Sequence, residues 1–260
     1  VTGNEIQPDR MLRVDRHGNR QAAGDIVVDL RDGNFDPFLE SALQNAWSTT
    51  TLKVGVTPKF FSIEDAANDI TQYRLFTGMS VSSMAVSIAP NQMVTATFGM
   101  VGKDMTISGT GKTVDDATIA QPFDAYSGDV AIGDVASSSA SAIVTSLDFS
   151  IDNAVTPTFV VGDDATPQLL SGMATVEGTF TAYFEDAALI NRFINETESE
   201  LVVSVDDPTG ANEYTFTFPK IKINGADVPV GDAGARVITL PFVALYDATE
   251  DTNLTITRPA

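Results

Sequence analysis

The tightest constraint on this chain is a pattern that occurs twice. Gly178–Asn195 (GTFTAYFEDAALINRFIN) reads as a strand, a cap and a helix. Phe180, Ala182 and Phe184 alternate with Thr179, Thr181 and Tyr183, the period of a half-buried strand. Asp186 stands where a carboxylate can accept from the free N–H groups of a helix start. Leu189, Ile190, Phe193 and Ile194 then share one helical face. The segment GDIVVDLRDGNFDPFLESALQNAW carries the same design 154 residues earlier, with Gly24, Ile26, Val28, Leu30 and Asp32 falling on Gly178, Phe180, Ala182, Phe184 and Asp186. This copy inserts a few residues before its own expected cap, Asp36. Pro37 follows at the first helical position, and Phe38, Leu39, Ala42, Leu43 and Ala46 form the apolar stripe.

Strand patterns fill the rest. Met79 and Val81 share one face, while Met84, Val86 and Ile88 run one residue out of phase, which predicts a β-bulge near Ser82–Ser83. Val94, Ala96, Phe98 and Met100 alternate as the next strand. In the second half Leu147, Phe149 and Ile151 alternate with Ser146, Asp148, Ser150 and Asp152. Leu201–Val205, Tyr214–Phe218, Ile221–Ile223 beyond Pro219, and Ile238–Ala244 follow. Each half reads strand, helix, strand, interrupted strand, long strand. The simplest expectation is a mainly β chain of two tandem, duplicated sandwich-like units, each with one flanking helix. The competing reading is chance likeness of two β-rich halves. The boundaries fall at 1–104 (first unit with a polar N-terminal arm), 105–142 (a Gly/Ser/Thr-rich connector) and 143–260 (second unit with a polar tail). The second copy is preceded by the strand Ser146–Asp152 and the first is not. The intact gene product is therefore expected to carry a further alternating strand upstream of Val1.

Composition narrows the chemistry. The chain has no cysteine, which excludes disulfides and thiolate metal sites. Its net charge of −20 repels phosphate, so it cannot grip nucleic acid by charge neutralisation. The same charge serves solubility. No apolar run approaches the length of a membrane span, and no membrane binding is expected. Gly109–Thr113 (GTGKT) resembles the end of a phosphate-cradling loop, but Thr106 replaces the earlier glycine and Asp115-Asp116 follow. The single histidine, His17, lies in the polar arm. The acid pairs Asp115-Asp116, Asp163-Asp164 and Asp206-Asp207 lack the spacing of a Ca²⁺ loop and read as acidic turns. No catalytic constellation, cofactor site or metal site is expected, and the chain is read as a non-enzyme.

A resemblance becomes specific over several ordered segments: EIQPDRM at Glu5–Met11, GDIVVDL at Gly24–Leu30, YRLFTG at Tyr73–Gly78, GKDM at Gly102–Met105, SLDFSIDN at Ser146–Asn153, TAYFED at Thr181–Asp186, INETESEL at Ile194–Leu201 and LPFVALYDATEDTNLTITR near the C-terminus. Together they resemble the tail tube (major tail) proteins of bacteriophages with long, non-contractile tails of the siphovirus type. The resemblance implies a structural virion protein, made in the bacterial host cytoplasm. Its subunits would form stacked rings that make a hollow tube conducting phage DNA, which passes without specific binding. It implies tail-tube-type β-sandwich or barrel units, partners in other tail proteins at the tube ends, and rings of six units. Two units per chain make a homotrimer with pseudo-sixfold symmetry the expected ring, with a homohexamer as the alternative. The candidate lumen-lining acids are Asp25, Asp29, Asp148 and Asp152. The candidate inter-ring contacts are Arg10, Arg13 and Arg16 in the arm. Two rival classes stay open on the residues: a tandem β-sandwich carbohydrate-binding or adhesion module, and a β-rich hydrolase. The first needs an exposed aromatic platform, whereas Trp47, the sole tryptophan, ends a predicted helix. The second needs a carboxylate pair that nothing singles out.

Overall fold

Alternating large apolar and small polar residues give sixteen strands and two short helices among the described residues. The computed structural model describes residues 8–9, 11, 15–113, 120–141, 144–229 and 235–259. In chain order these are β1 (Ala22–Asp29), α1 (Asp36–Ala42), β2 (Thr51–Lys53), β3 (Phe61–Ala67), β4 (Gln72–Ile88), β5 (Thr95–Gly102), β6 (Asp104–Ser108), β7 (Asp124–Asp134), β8 (Ser137–Ser141), β9 (Val144–Asp152), β10 (Thr156–Pro157), β11 (Leu169–Leu170), β12 (Thr175–Tyr183), α2 (Ala188–Ile194), β13 (Ser199–Asp206), β14 (Glu213–Ile223), β15 (Val237–Ala244) and β16 (Thr255–Thr257).

Fourteen strands join one antiparallel sheet. Its main path is β1-β5-β4-β9-β12-β15-β14-β13-β7-β8, with β16 pairing β14 and β2, and with β3 and β6 flanking the first half of β4. The two halves of the chain meet in this sheet where β4 pairs with β9, Ser83 opposite Asp152 and Ser87 opposite Asp148. The sheet then curls back on itself. The Phe149 ring of β9 lies 5.1 Å from Phe216 and 5.2 Å from Phe218 on β14, although β12 and β15 stand between those strands in the hydrogen-bonding order. Phe218 in turn meets Phe242 at 5.6 Å. One continuous apolar cluster runs from Leu30 and Leu39 in the first half to Leu240 and Ile256 in the second.

The expected bulge is present. The β4–β5 register shifts between Val81 and Ser83, so Val81 opposes Met100 and Ser83 opposes Gly99. β14 has a counterpart, where the β13–β14 register shifts between Ser199 and Leu201. Pro219 sits in that gap, where its missing N–H costs no ladder bond. Both strands therefore change which parity faces the core: Met79 and Val81 before the slip and Met84 and Val86 after it, then Phe216 and Phe218 before and Ile221 and Ile223 after.

The helices depart from expectation at their starts. α1 begins at Asp36 with Phe35 as its N-cap and no side-chain cap, which puts Pro37 second rather than first. The Asp36 carboxylate is occupied elsewhere: it accepts the Tyr214 hydroxyl at 2.7 Å and pairs with the Arg258 guanidinium. A cation and a phenol are stronger partners for it than a neutral backbone amide. Asp186 does accept from a helix-start amide, that of Ala188 at 2.7 Å, although Ala187 is the N-cap residue. Leu39, Ala42 and Leu43 are buried as expected, while Ala46 lies past the helix and is exposed. α2 buries no residue fully.

The C-terminal segment is more than a polar tail. β16 lies between Thr215–Thr217 of β14 and Thr51–Lys53 of β2, tying the halves together. Leu254 and Ile256 are wholly buried there. Within 105–142, β7 and β8 form a hairpin, and β7 pairs along β13.

Candidate functional site: an acidic concave face

The side chains that alternate away from the core form one polar surface across six neighbouring strands, β1, β5, β4, β9, β12 and β15. Register defines its rows. Asp25 opposes Gly99, Gly99 opposes Ser83, and Ser83 opposes Asp152. Four residues along, Asp29 opposes Thr95, Thr95 opposes Ser87, and Ser87 opposes Asp148. Four acids that lie far apart in sequence thus fall in two parallel rows, Asp25 and Asp29 on β1 and Asp152 and Asp148 on β9, and the rows run on to Thr175 and Thr179 of β12. In each row the two acids stand three strand spacings apart, about 14 Å. All four are exposed. The row between them runs Val27, Thr97, Ala85, Ser150, Glu177, Val243 and Lys222.

Glu177 is a fifth acid on this face. It shares strand parity with Thr179 and Thr181, a signal present in the alternation of β12. Lys222, at the far end of that row, is not available to offset the acids: its Nζ lies 2.5 Å from Glu196 Oε2. That bond holds the Glu196 carboxyl below its usual range. The face is concave, with a trough of about 540 Å³ lined by Ser87, Thr95, Thr97, Asp148, Ser150 and Glu177 among others. Small hydroxyls with Asp148 and Glu177 among them offer neither the cations nor the stacked aromatics that hold a polyanion.

The candidate arm contacts are placed differently. Arg10 and Arg13 lie outside the described residues, and Arg16 is exposed in a segment without regular structure. Its neighbour Arg20 reaches Asp164 at 2.7 Å and Asp104 at 3.9 Å, so this part of the arm is tied to the β10–β11 loop. Asn19 donates to the Asp163 carbonyl at 2.9 Å in the same region.

The motifs read as alternatives to a structural role find other partners. GTGKT follows β6, and the Lys112 backbone N–H donates to both oxygens of Glu64, at 3.0 and 3.1 Å. A carboxylate therefore sits where the loop would need a phosphate. His17 is exposed. Asp163 and Asp207 accept backbone N–H groups in their own turns, and Asp115-Asp116 lie outside the described residues. Among the described residues no group of three or more His, Asp or Glu is arranged to hold a metal ion. Trp47 packs 6.1 Å from Tyr214 and under the Arg258 guanidinium at 4.4 Å, so it offers no open aromatic platform.

One further cluster escaped the sequence reading. The buried Tyr214 hydroxyl accepts from the Gly33 N–H at 3.0 Å and donates to Asp36. Burial, with Asp36 beside it, pushes its pKa far above the ordinary phenol value, so it stays a neutral donor. With Arg258 and Trp47 it joins β14, α1 and the C-terminal segment across the junction of the halves.

A search of curated proteins returns no match. The family model described as "phage tail tube protein" matches residues 1–244. That match spans nearly the whole sheet and the acidic face, and the chain belongs to the phage tail tube protein family.

Proposed function

We propose that this chain forms stacked rings whose joined sheets make a hollow conduit for phage DNA, with the acidic concave face lining the bore. Family membership makes it a structural component of the virion tail. The observation that carries the finer reading is the single face over six consecutive strands, with Asp25, Asp29, Asp148 and Asp152 exposed on it and a trough from β5 to β15 that holds Asp148 and Glu177. A duct needs a wall that does not bind what passes through it, and a wall of hydroxyls and carboxylates repels phosphate. The net charge of −20 extends that repulsion.

We further propose that each chain supplies two units of the ring, so that three chains make a pseudo-sixfold ring. The strand order β1-β5-β4 parallels β12-β15-β14, each helix follows the first strand of its triplet, and both triplets carry a bulge in the third strand. On this reading the division into 1–104, 105–142 and 143–260 follows the units, and the β4–β9 pairing inside the chain is the pattern for the pairing between chains. Arg10, Arg13 and Arg16 are assigned to contacts between rings, where exposed ion pairs of about 0–1 kcal/mol each set registration more than strength. Electron microscopy of the purified protein, with the chains per ring counted from cross-sections, tests the reading. Tubes or rings of three chains are expected. Solitary molecules would overturn the tube, and rings of six chains would overturn the stoichiometry.

A further inference from the structure

β1 and β12 hold like positions in the sheet. Each precedes a helix, and each pairs along its length with the last long strand of its half, β5 or β15. Their other edges differ. β9 covers β12, with Ile151, Phe149 and Leu147 opposite Val176, Gly178 and Phe180, and all three apolar side chains of β9 are buried. Among the described residues β1 pairs with β5 alone. Two glycines at matching positions record the difference. A Cβ on Gly178 would meet the Asp148 carbonyl oxygen at 2.6 Å and the Phe242 ring at 2.7 Å, whereas a Cβ on Gly24 would meet nothing within 4 Å. Phe180 is buried, while its counterpart Ile26 is only half-buried. Beside the open edge lies a cavity of about 290 Å³ lined by Gly24, Ile26, Ile63, Phe76, Met79 and Met100.

We propose that the open edge of β1 is an acceptor for one antiparallel strand of the β9 type. Its partner is an extended segment with three large apolar residues at alternate positions and small polar or acidic residues between them. Every neighbouring pair in the main sheet is antiparallel, so a strand running opposite to β1 continues the ladder and a parallel one breaks it. The offset between β1 and β12 fixes the register: the three apolar residues sit over Ala22, Gly24 and Ile26, and the middle one enters the cavity above Gly24. The polar residues of the incoming strand then stand opposite Ala23, Asp25 and Val27 and extend the rows of Asp25 and Val27. Such an edge gives a peptide both backbone hydrogen bonds and side-chain burial, the two sources of affinity in strand addition. The inference rests on the likeness of the halves and not on the tube, so peptide binding and ring formation can fail separately.

The test is a fluorescent peptide carrying the β9 sequence Val144–Asn153 (VTSLDFSIDN), titrated into the full chain and read by anisotropy and by amide exchange in β1. Saturable binding with slowed exchange along Ala23–Val28 is expected. Gly24→Leu fills the cavity and should weaken binding by about tenfold or more. A peptide with Asp in place of its phenylalanine should lose binding, a readout that leaves the protein unaltered. Absence of saturable binding overturns the proposal. So does equal binding to a Gly24→Leu protein of unchanged Tm, or β1 amides that are already slow before peptide is added and stay slow in Gly24→Leu.

Discussion

Asp206 and Asp207 are adjacent and titrate in opposite directions, which makes them a residue-scale test of the structure. Burial pushes the Asp206 carboxyl up, helped by Glu213, Asp207 and Asp124, and its Oδ1 is buried with no hydrogen-bond partner. Asp207 is held at about 2 by the Thr209 hydroxyl, the Asn212 amide and the backbone N–H groups of Ala211 and Thr209. A raised carboxyl costs stability once it ionises, and that cost is absent below its unfolded value of about 3.9. Asp206→Asn is therefore expected to raise Tm by a few degrees at neutral pH, with the gain vanishing near pH 3. A lowered carboxyl does the reverse: Asp207 contributes stability above about pH 4, which is lost as pH falls toward 2. Asp207→Ala should lower Tm at neutral pH and little at the acid end, measured by thermal melts across that range. At the junction, Tyr214→Phe leaves the Gly33 N–H without its acceptor and Asp36 without one donor. The loss expected in urea unfolding is about 1–3 kcal/mol.

Among the elements, the C-terminal strand sets the sharpest expectation. β16 contributes only three residues, yet it is hydrogen-bonded on both sides, and Leu254 and Ile256 are fully buried. Burying such a side chain is worth about 1.5–3 kcal/mol. Ending the chain after Asn253 should therefore remove several kcal/mol, enough to lose near-UV circular dichroism while far-UV strand signal remains. Unchanged urea midpoints would show that the clasp is decorative. This element also shows what a sequence does and does not carry. Its LTIT alternation is visible, but three residues of period two weigh little against a polar neighbourhood, and pairing with β2 some two hundred residues away leaves no local mark. Long one-sided strands such as β9 and β15 were legible because each repeats its pattern through several turns of the alternation. The bulge in β4 was legible because a slip of one residue reverses the apolar parity. The Asp36 cap was misread because its carboxylate is claimed by Tyr214 and Arg258, partners from the other half of the chain. The acids of the polar face were legible one strand at a time. Their alignment in two rows depends on β4 and β5 standing between β1 and β9, and on the registers of three ladders, which no single segment encodes.

For the whole molecule the governing quantity is charge. Copies of a chain at −20 repel one another, and any assembly must offset that repulsion with edge pairing and apolar contact. Exposed charges are screened beyond about 10 Å at 0.1 M salt and about 30 Å at 0.01 M. If the acids of the concave face crowd around a common bore, their mutual repulsion is concentrated there, and assembly should be slow at low salt and faster as salt rises. Replacing Asp25, Asp29, Asp148 and Asp152 together by Asn removes four of those charges at exposed positions, and the amide oxygen at 152 can still accept the Ala154 N–H. The variant should assemble at lower salt than the parent chain, with the two converging at high salt, followed by light scattering and checked by microscopy. The same substitutions made at four exposed acids off this face, for example Asp65, Asp163, Asp186 and Glu250, change net charge equally and serve as the comparison. A larger shift for the first set locates the repulsion in the bore. Equal shifts for both sets would mean that the acid acts only through net charge, and the face would lose its claim to line a duct.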